Sequence, residues 1–487
     1  MALNEYAIFL NVEQKAFYIS PAATTTLSCA PMSLTISRIL HAGYVFACDG
    51  TTIAFDPIVE NPFSRNCHAF PDVRFERARF AALKLDAVFI SHFHDDHCSF
   101  ESLELLDRAT PIYLYCLFDE LFAMLHQLGF RHVHALAIDR PVQIGAIDII
   151  ARRALDADVD SLFHVRAAGL NVLNVVDAWM DPQVLPVLAA QAPWDMVLWP
   201  FQTMRETAVI APTRTAWAGP TAAVLPEEWC GQLQALAPRY VVPSSCQFVQ
   251  EPWSWYNHAM FPLTYAQFAR EVTAALPACR VVRMNPGTAF VLDATALTPT
   301  APLDWVLPVG PQDVDYAYEP ERAPPATSDI ARRFAALTAP QQAFVDAYCR
   351  TGLPDTYRAM ELPDDSYFQQ PRLWRLTVYD HTGAPTRYHY RLHGDAIELA
   401  PEDSTDSPGW TTEIPACKIY AALELGESLT SMYMRINDHR FDAHTDAQLD
   451  DADLVDDPLI RCLFDGRFGA YQAAQLKRIV ARQDGQA

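Results

Sequence analysis

Short apolar runs, separated by turn residues and by helical segments, recur along the first 295 residues of the chain. Strands are predicted at residues 44–46, 53–55, 87–90 and 170–176. Helical periodicity appears over residues 79–85 and 118–128, and Gly129 is suited to end the second helix. Strands that alternate with helices in this way predict a layered α/β domain.

The pattern changes after residue 295. Residues 296–326 are rich in proline and poor in regular periodicity, which predicts a linker or a segment that wraps around a domain. Beyond it we predict a helix over 329–359 with Ser328 as its cap, a hairpin of strands 373–379 and 388–392, a strand over 431–436 and a terminal helix over 459–479. The chain is therefore expected to hold a larger α/β domain (1–295), a Pro-rich linker (296–326) and a smaller C-terminal α+β domain (327–487).

Composition narrows the classes of function. With 59 acidic and 36 basic residues, the formal net charge is −23. Such a charge repels phosphate backbones and anionic lipid, so we expect neither a nucleic-acid nor a membrane partner. The first twenty residues lack the basic start and apolar block of a secretory signal, and the 11 cysteines form no CxxC pair. These features predict free thiols in a reducing cytoplasm.

The clearest chemical pattern is DAVFISHFHDDHCS at residues 86–99. A predicted buried strand ends at residue 90, and His92, His94, Asp96 and His97 follow it directly. Side chains two positions apart point the same way in an extended chain, so His92 and His94 can share one ion. The chain then turns, which lets Asp96 and His97 face a second ion. Nitrogen and oxygen donors of this kind suit zinc or iron.

This segment resembles the HxHxDH motif of the metallo-β-lactamase superfamily. The resemblance spans about residues 38–295 and includes HAGYVFACDGTTIAFDP, LNVVD and PRYVVP. It implies an αββα sandwich. It also implies that Asp56 supports the metal loop, that Asp177 bridges two ions, and that Asp96 orients the reacting group as a catalytic residue.

Two positions depart from the family pattern. After PRYVVP, Ser245 stands where the family has a late histidine, and His258 is a candidate replacement or else an ordinary loop histidine. The family's spacing for the ligand before Asp177 falls on Asp156, with Asp158 as the alternative. His164 lies too close to Asp177 along the chain and in mid-strand, so we expect it behind the ligands as a core or supporting residue.

Four stretches also resemble the metallo-β-lactamase-like part of the cytidine-monophosphate N-acetylneuraminic acid hydroxylase family: ISHFHDDHCSFESL, VLNVVDAW, RYVVPSSCQFVQ and VVRMNPGTAFVLD. That resemblance implies iron and O2, with a Rieske cluster as the electron source. The chain has no C-x-H motif, which a Rieske site requires. An oxygenase of this sequence would therefore need an external electron donor.

A carboxylate-rich ligand set favours iron or manganese over zinc. We predict a metalloenzyme with one or two iron ions that uses O2 to hydroxylate a small molecule. The alternatives are a dinuclear zinc hydrolase of an ester, lactone or phosphodiester, which needs no redox partner, and a degenerate fold that only binds. His68 and Gln202, in loops that follow apolar strands, are candidate substrate contacts. The C-terminal domain is expected to shape the pocket or form a homodimer.

Overall fold

The computed structural model describes residues 33–210, 223–401, 407–441 and 454–484. Its strands, in chain order, are β1 (Leu34–Arg38), β2 (Tyr44–Cys48), β3 (Thr51–Phe55), β4 (His68–Ala69), β5 (Val73–Phe75), β6 (Ala87–Ile90), β7 (Ile112–Leu114), β8 (Val133–Ala135), β9 (Pro141–Ile144), β10 (Ile147–Arg153), β11 (Ser161–Ala167), β12 (Leu170–Asn174), β13 (Met196–Trp199), β14 (Tyr240–Pro243), β15 (Phe248–Val249), β16 (Arg280–Val281), β17 (Ala289–Leu292), β18 (Leu297–Thr300), β19 (Val306–Pro308), β20 (Arg372–Tyr379), β21 (Pro385–His393), β22 (Ala396–Leu399), β23 (Trp410–Pro415) and β24 (Arg435–Ile436).

The helices are α1 (Arg77–Ala81), α2 (Phe100–Leu103), α3 (Asp119–Gln127), α4 (Leu185–Ala189), α5 (Glu206–Ile210), α6 (Glu227–Leu236), α7 (Tyr256–Ala259), α8 (Tyr265–Ala275), α9 (Thr327–Ala331), α10 (Ala339–Ala347), α11 (Leu353–Arg358), α12 (Ala416–Leu425), α13 (Pro458–Phe464) and α14 (Ala470–Asp484). No helix in the described part of the chain is both long and apolar enough to cross a bilayer.

Two mixed sheets lie within residues 34–300. One has eight strands in the order β18-β17-β1-β2-β3-β6-β7-β8, and the other has seven in the order β16-β14-β13-β12-β11-β10-β9. The strands alternate in the side chains they bury. In β2, Tyr44 and Phe46 join one apolar cluster with residues of the second sheet, whereas Val45 faces a different cluster that includes helix residues. The sheets therefore pack face to face between outer helical layers, which confirms the predicted αββα sandwich.

Several of these elements lie where the sequence predicted them. β2, β3, β6 and β12 lie at the predicted strands, and Gly129, at φ +106°, ends α3 as expected. The segment 296–326, predicted as a linker, supplies β18 and β19, which pair with β17 and β5. It therefore runs along the larger domain as ordered strands for part of its length.

The C-terminal part holds a five-stranded sheet in the order β22-β21-β20-β23-β24. β20 and β21 form the predicted hairpin. The strand predicted over 431–436 was wrong for most of its length, because a 3-10 turn at Leu429–Ser431 precedes a two-residue β24.

Two long helices were also predicted wrongly. The first begins after Ala326 instead of Ser328 and is interrupted between α9 and α10, which starts at Thr338 with a capping box that includes Gln341. From Ala339 to Arg358 the helix is continuous, because a π-helical turn at Tyr348–Gly352 joins α10 to α11. The terminal helix is split into α13 and α14, with Gly466 and Gly469 at positive φ between them. Hydrophobic periodicity continues through such breaks, so it does not reveal them.

Candidate metal centre

The HxHxDH loop starts where β6 ends, beside the end of the neighbouring parallel strand β3. Asp56 follows β3 directly. Its carboxylate accepts the N–H and the hydroxyl of Ser91 at 2.8 and 2.7 Å and Nδ1–H of His97 at 2.9 Å. Parallel strands bring their carboxyl ends to one edge of a sheet, so these contacts are a direct consequence of the topology. Asp56 thereby orients His97 from behind, the supporting position that the family resemblance implies.

Four side chains converge in front of this support. One donor atom from each of His41, Asp96, His97 and Asp177 lies within 4.8 Å of the others. Nε2 of His41 is 3.1 Å from Oδ2 of Asp96 and 3.3 Å from Oδ2 of Asp177. It also lies 3.2 Å from Nε2 of His97, which is 2.8 Å from Oδ1 of Asp177.

These distances fit a shared metal ion. Ligands about 2.1 Å from one ion lie about 3 Å from their neighbours in an octahedral shell. Nε2 of His97 and Oδ1 of Asp177 face each other at 2.8 Å. Imidazole nitrogens and carboxylate oxygens that converge on one point at such separations are what a metal site requires.

The charges of the cluster compensate one another. Burial by itself lowers the pKa of His97, but Asp177 and Asp96 outweigh it and raise that pKa well above its ordinary value. Burial also lowers the pKa of His41, but Asp96 and Asp177 outweigh it and raise that pKa above its ordinary value. Burial raises the pKa of Asp177, but the two imidazoles hold it well below its usual range. A bound cation would take the place of these protons.

His92 and His94 lie next to this cluster, with the His92 ring centroid 4.0 Å from that of His97. Nε2 of His92 is 3.9 Å from Oδ1 of Asp177, and the His92 ring centroid is 4.5 Å from that of His94. Burial lowers the pKa of both imidazoles, which keeps them in the neutral form that binds metal. The Asp177 carboxylate therefore faces three imidazoles, those of His41, His92 and His97.

The acidic turn before β11 carries Asp156, the ligand predicted from spacing, whose charge raises the pKa of His94 against the larger, opposite effect of burial. Asp156 is exposed, and its Oδ1 accepts the backbone N–H of Asp158 at 3.1 Å. Asp160 is buried, and no donor in the described residues reaches its Oδ1. Burial, followed by the charge of Asp156, raises the pKa of Asp160 to about 7, while the charge of His97 opposes that rise. The turn thus directs Asp160 inward, which sequence spacing did not indicate.

His164 and His258 lie outside the cluster. Nδ1 of His164 is 3.0 Å from Arg152 and its Nε2 is 2.9 Å from Oδ1 of Asn171, so its contacts belong to the second sheet. His258, in α7, is partly exposed with Nδ1 3.4 Å from Glu319. The structure brings neither to the four converging donors.

His41 is the residue that sequence reasoning missed. It lies in the turn after β1 at φ +51°, and Arg38 binds the backbone carbonyls of both His41 and Ser244. Ser245, which stands where the family has its late histidine, donates its hydroxyl to the carbonyl of Val176 at 2.6 Å. Arg38 therefore links the turn that contains His41 to the segment in which Ser245 replaces the family's late histidine. The only sequence signal was the histidine at the start of HAGYVFACDG.

A cavity of about 680 Å³ opens at the cluster. Gln202, a predicted substrate contact, lines this cavity. Its amide nitrogen and oxygen both hydrogen-bond to the backbone of Leu263, so the side chain holds the loop at Leu263 in place. His68 pairs with Val249 in the ladder of β4 and β15. From the same loop, Ser64 and Cys67 line the cavity.

No protein-family model and no curated protein matches the sequence. Among solved structures, the chain is similar to Igni18, a metallo hydrolase of Ignicoccus hospitalis, with 19% identity over 54% of this chain and 99% of that chain and a TM-score of 0.39. It is similar to CmlA, a diiron β-hydroxylase of Streptomyces venezuelae, with 18% identity over 54% of each chain and a TM-score of 0.37. The metallo-β-lactamase fold protein YhfI of Bacillus subtilis has 15% identity over 54% of this chain and 100% of that chain, with a TM-score of 0.36. The fold assignment rests on the order of the chain's own strands.

Proposed function

We propose that this chain is a metal-dependent enzyme whose centre holds two ions and acts on a small molecule. The observation that carries the proposal is the convergence of His41, Asp96, His97 and Asp177, whose donor atoms lie within 4.8 Å of one another. His92, His94 and Asp160 would hold the second ion, with Asp177 between the two.

The adjoining cavity has the size of a small-molecule site. Trp179, Trp229 and Phe248 supply an aromatic wall, and residues 428–430 of the C-terminal part supply another side. Such a wall excludes water and orients an apolar portion of a substrate against the ligand cluster. This agrees with the expectation that the C-terminal domain shapes the pocket.

We infer iron as the metal and O2-dependent hydroxylation as the reaction. The support is the number of hard oxygen donors, since Asp96, Asp160 and Asp177 favour iron or manganese over zinc. Bound iron would supply the oxidising chemistry, and an external donor would supply electrons. Glu206 also lines the cavity, and burial, followed by the charges of Asp96 and Asp177, raises its pKa to about 7. It can therefore hold and release a proton beside the substrate near neutral pH.

The second candidate is a dinuclear zinc hydrolase. His41 favours it, because a fourth imidazole makes the donor set richer in nitrogen than the sequence indicated, and nitrogen-rich sets suit zinc. A zinc pair would supply the nucleophile for ester, lactone or phosphodiester cleavage. In that reaction Asp96, at the mouth of the cavity, would orient the nucleophile and accept its proton.

Anaerobic reconstitution separates the candidates. Purified protein is loaded with Fe²⁺ or Zn²⁺, metal content is measured, and each form is exposed to O2 and to ester and phosphodiester substrates. Two equivalents of iron with optical bands that change on O2 addition support the oxygenase. Turnover of a hydrolytic substrate by the zinc form, with an inert iron form, supports the hydrolase. Failure to retain either metal stoichiometrically would contradict both.

A further inference from the structure

Helix α14 of the C-terminal part lies directly on the loop that carries the metal ligands. Nε2 of Gln472 donates to the backbone carbonyl of Phe93 at 2.5 Å and to that of Cys98 at 2.8 Å. These two carbonyls flank the segment that contains His94, Asp96 and His97. One amide group therefore holds both ends of the ligand turn.

Gln475, one helical turn further on, holds the next part of the loop. Its Oε1 accepts the N–H of Phe100 at 2.6 Å, and its Nε2 donates to the hydroxyl of Ser99 at 3.0 Å. Gln472 and Gln475 are 1% and 0% exposed. Removing a hydrogen-bond partner of such a buried amide is destabilising, because it leaves a buried polar group without a hydrogen bond.

The turn has few bonds of its own. Within it, the N–H groups of His97 and Cys98 point to the carbonyl of His94 at 3.1 and 2.9 Å. The bonds at its two ends come from Gln472, which is more than 370 residues away along the chain. Small shifts of these ends would move every ligand between them.

We propose that Gln472 and Gln475 are positioning residues of the metal centre, so that the C-terminal part sets the geometry of the ligand loop. This inference rests on the proposed metal-dependent function. It makes α14 part of the active centre, although α14 carries no metal ligand among its described side chains.

Two ion pairs on the same helix allow positioning to be separated from simple docking. Arg478 lies 3.3 Å from Glu101, and Arg482 lies 2.8 Å from Glu104. Both acidic partners belong to or border α2, beyond the ligand turn. Their loss would loosen the helix without touching the carbonyls of Phe93 and Cys98.

The test uses the full chain and Co²⁺ as the probe, since the optical bands of Co²⁺ report its coordination. Gln472→Glu keeps the shape of the side chain but removes the donor that faces two carbonyls. We expect Co²⁺ to bind at least about 10-fold more weakly, as with other supporting residues, and its bands to shift. An added negative charge alone would strengthen cation binding, so weaker binding reports geometry.

Controls accompany this variant. Gln483→Glu makes the same change at an exposed position of α14 and should leave affinity and bands unchanged. Arg482→Gln should lower thermal stability without moving the bands. Gln475→Glu keeps the acceptor for Phe100 and should give a smaller shift, which provides a second variant if Gln472→Glu does not fold.

The outcomes are distinct. Wild-type bands and affinity in a folded Gln472→Glu protein would overturn the positioning role alone, and so would an equal band shift in Arg482→Gln. Wild-type protein that fails to bind Co²⁺ would overturn the proposed function itself. Should Gln472→Glu not fold, unchanged bands in Gln475→Glu would equally reject the inference.

Discussion

His41→Ala is the sharpest perturbation of the proposed metal centre. Nε2 of His41 lies 3.1 Å from Asp96, 3.2 Å from His97 and 3.3 Å from Asp177, so an ion in contact with the other three also contacts His41. Alanine has no donor atom in its side chain, and His41 itself is fully buried.

The magnitude follows from known ligand energetics. Loss of a residue that only supports a ligand costs about 10–100-fold in metal affinity. Loss of a direct donor should therefore cost at least about 100-fold, which corresponds to about 2.8 kcal/mol. Because His92 and His94 are not among the four converging donors, we expect the ion held by those four to be weakened and the other ion to be retained.

Competitive Co²⁺ titration with a chelator indicator measures this, with metal content after desalting as a second readout. Wild type should retain two equivalents and His41→Ala one. His258→Ala is the matched control, because His258 is a partly exposed histidine 3.4 Å from Glu319 and outside the cluster. Equal binding by His41→Ala and wild type, or a larger loss in His258→Ala, would refute the ligand assignment.

Three further predictions address the site and its scaffold. Asp160→Asn should weaken Co²⁺ binding at least about 10-fold, whereas Asp156→Asn, at an exposed position, should not. If the same titration gives the larger loss for Asp156→Asn, then Asp156, as spacing predicted, is the ligand. Burial, with Arg152 and Arg166 opposing protonation, lowers the pKa of His164 to about 4 from an ordinary value of 6.5. The free energy of unfolding should therefore fall by about 3 kcal/mol as pH falls from 6.5 to 4, because the folded state resists protonation of His164. Urea unfolding of His164→Gln should not show that decrease. A Cβ on Gly426, at φ +64°, would lie 2.5 Å from the backbone of Ala470, whereas Gly466, at φ +67°, has open space. Gly426→Ala should thus destabilise by at least about 1 kcal/mol more than Gly466→Ala in denaturant melts.

Local patterns predicted the parts of the molecule that depend on neighbouring residues. The alternation in β2 and β6 follows from the pleat of a strand between two apolar layers, so it is visible in the sequence. The loop from His92 to His97 is also local, because its donors follow one strand. Asp56 and Asp177 were placed by the family resemblance, and the structure puts both in contact with His97.

Other parts depend on contacts between distant segments. Asp160, two or four residues beyond the predicted ligands, turns inward because β11 starts beside the loop, where Ser161 bonds to the carbonyl of Ser91. Spacing alone does not distinguish the inward from the outward members of an acidic turn.

The sequence by itself determined the α/β layering and the presence of a metal-type loop, because both arise from side-chain order within single strands and turns. Only the tertiary structure decided that His41 joins the ligands and that Gln472 holds their loop. His41 reaches the cluster through Arg38, which ties the first turn to Ser244, and Gln472 reaches it through the packing of α14 on α2 and α3. Hydrogen bonds between segments hundreds of residues apart leave no periodic trace in a single chain, since their partners are selected by the packed fold.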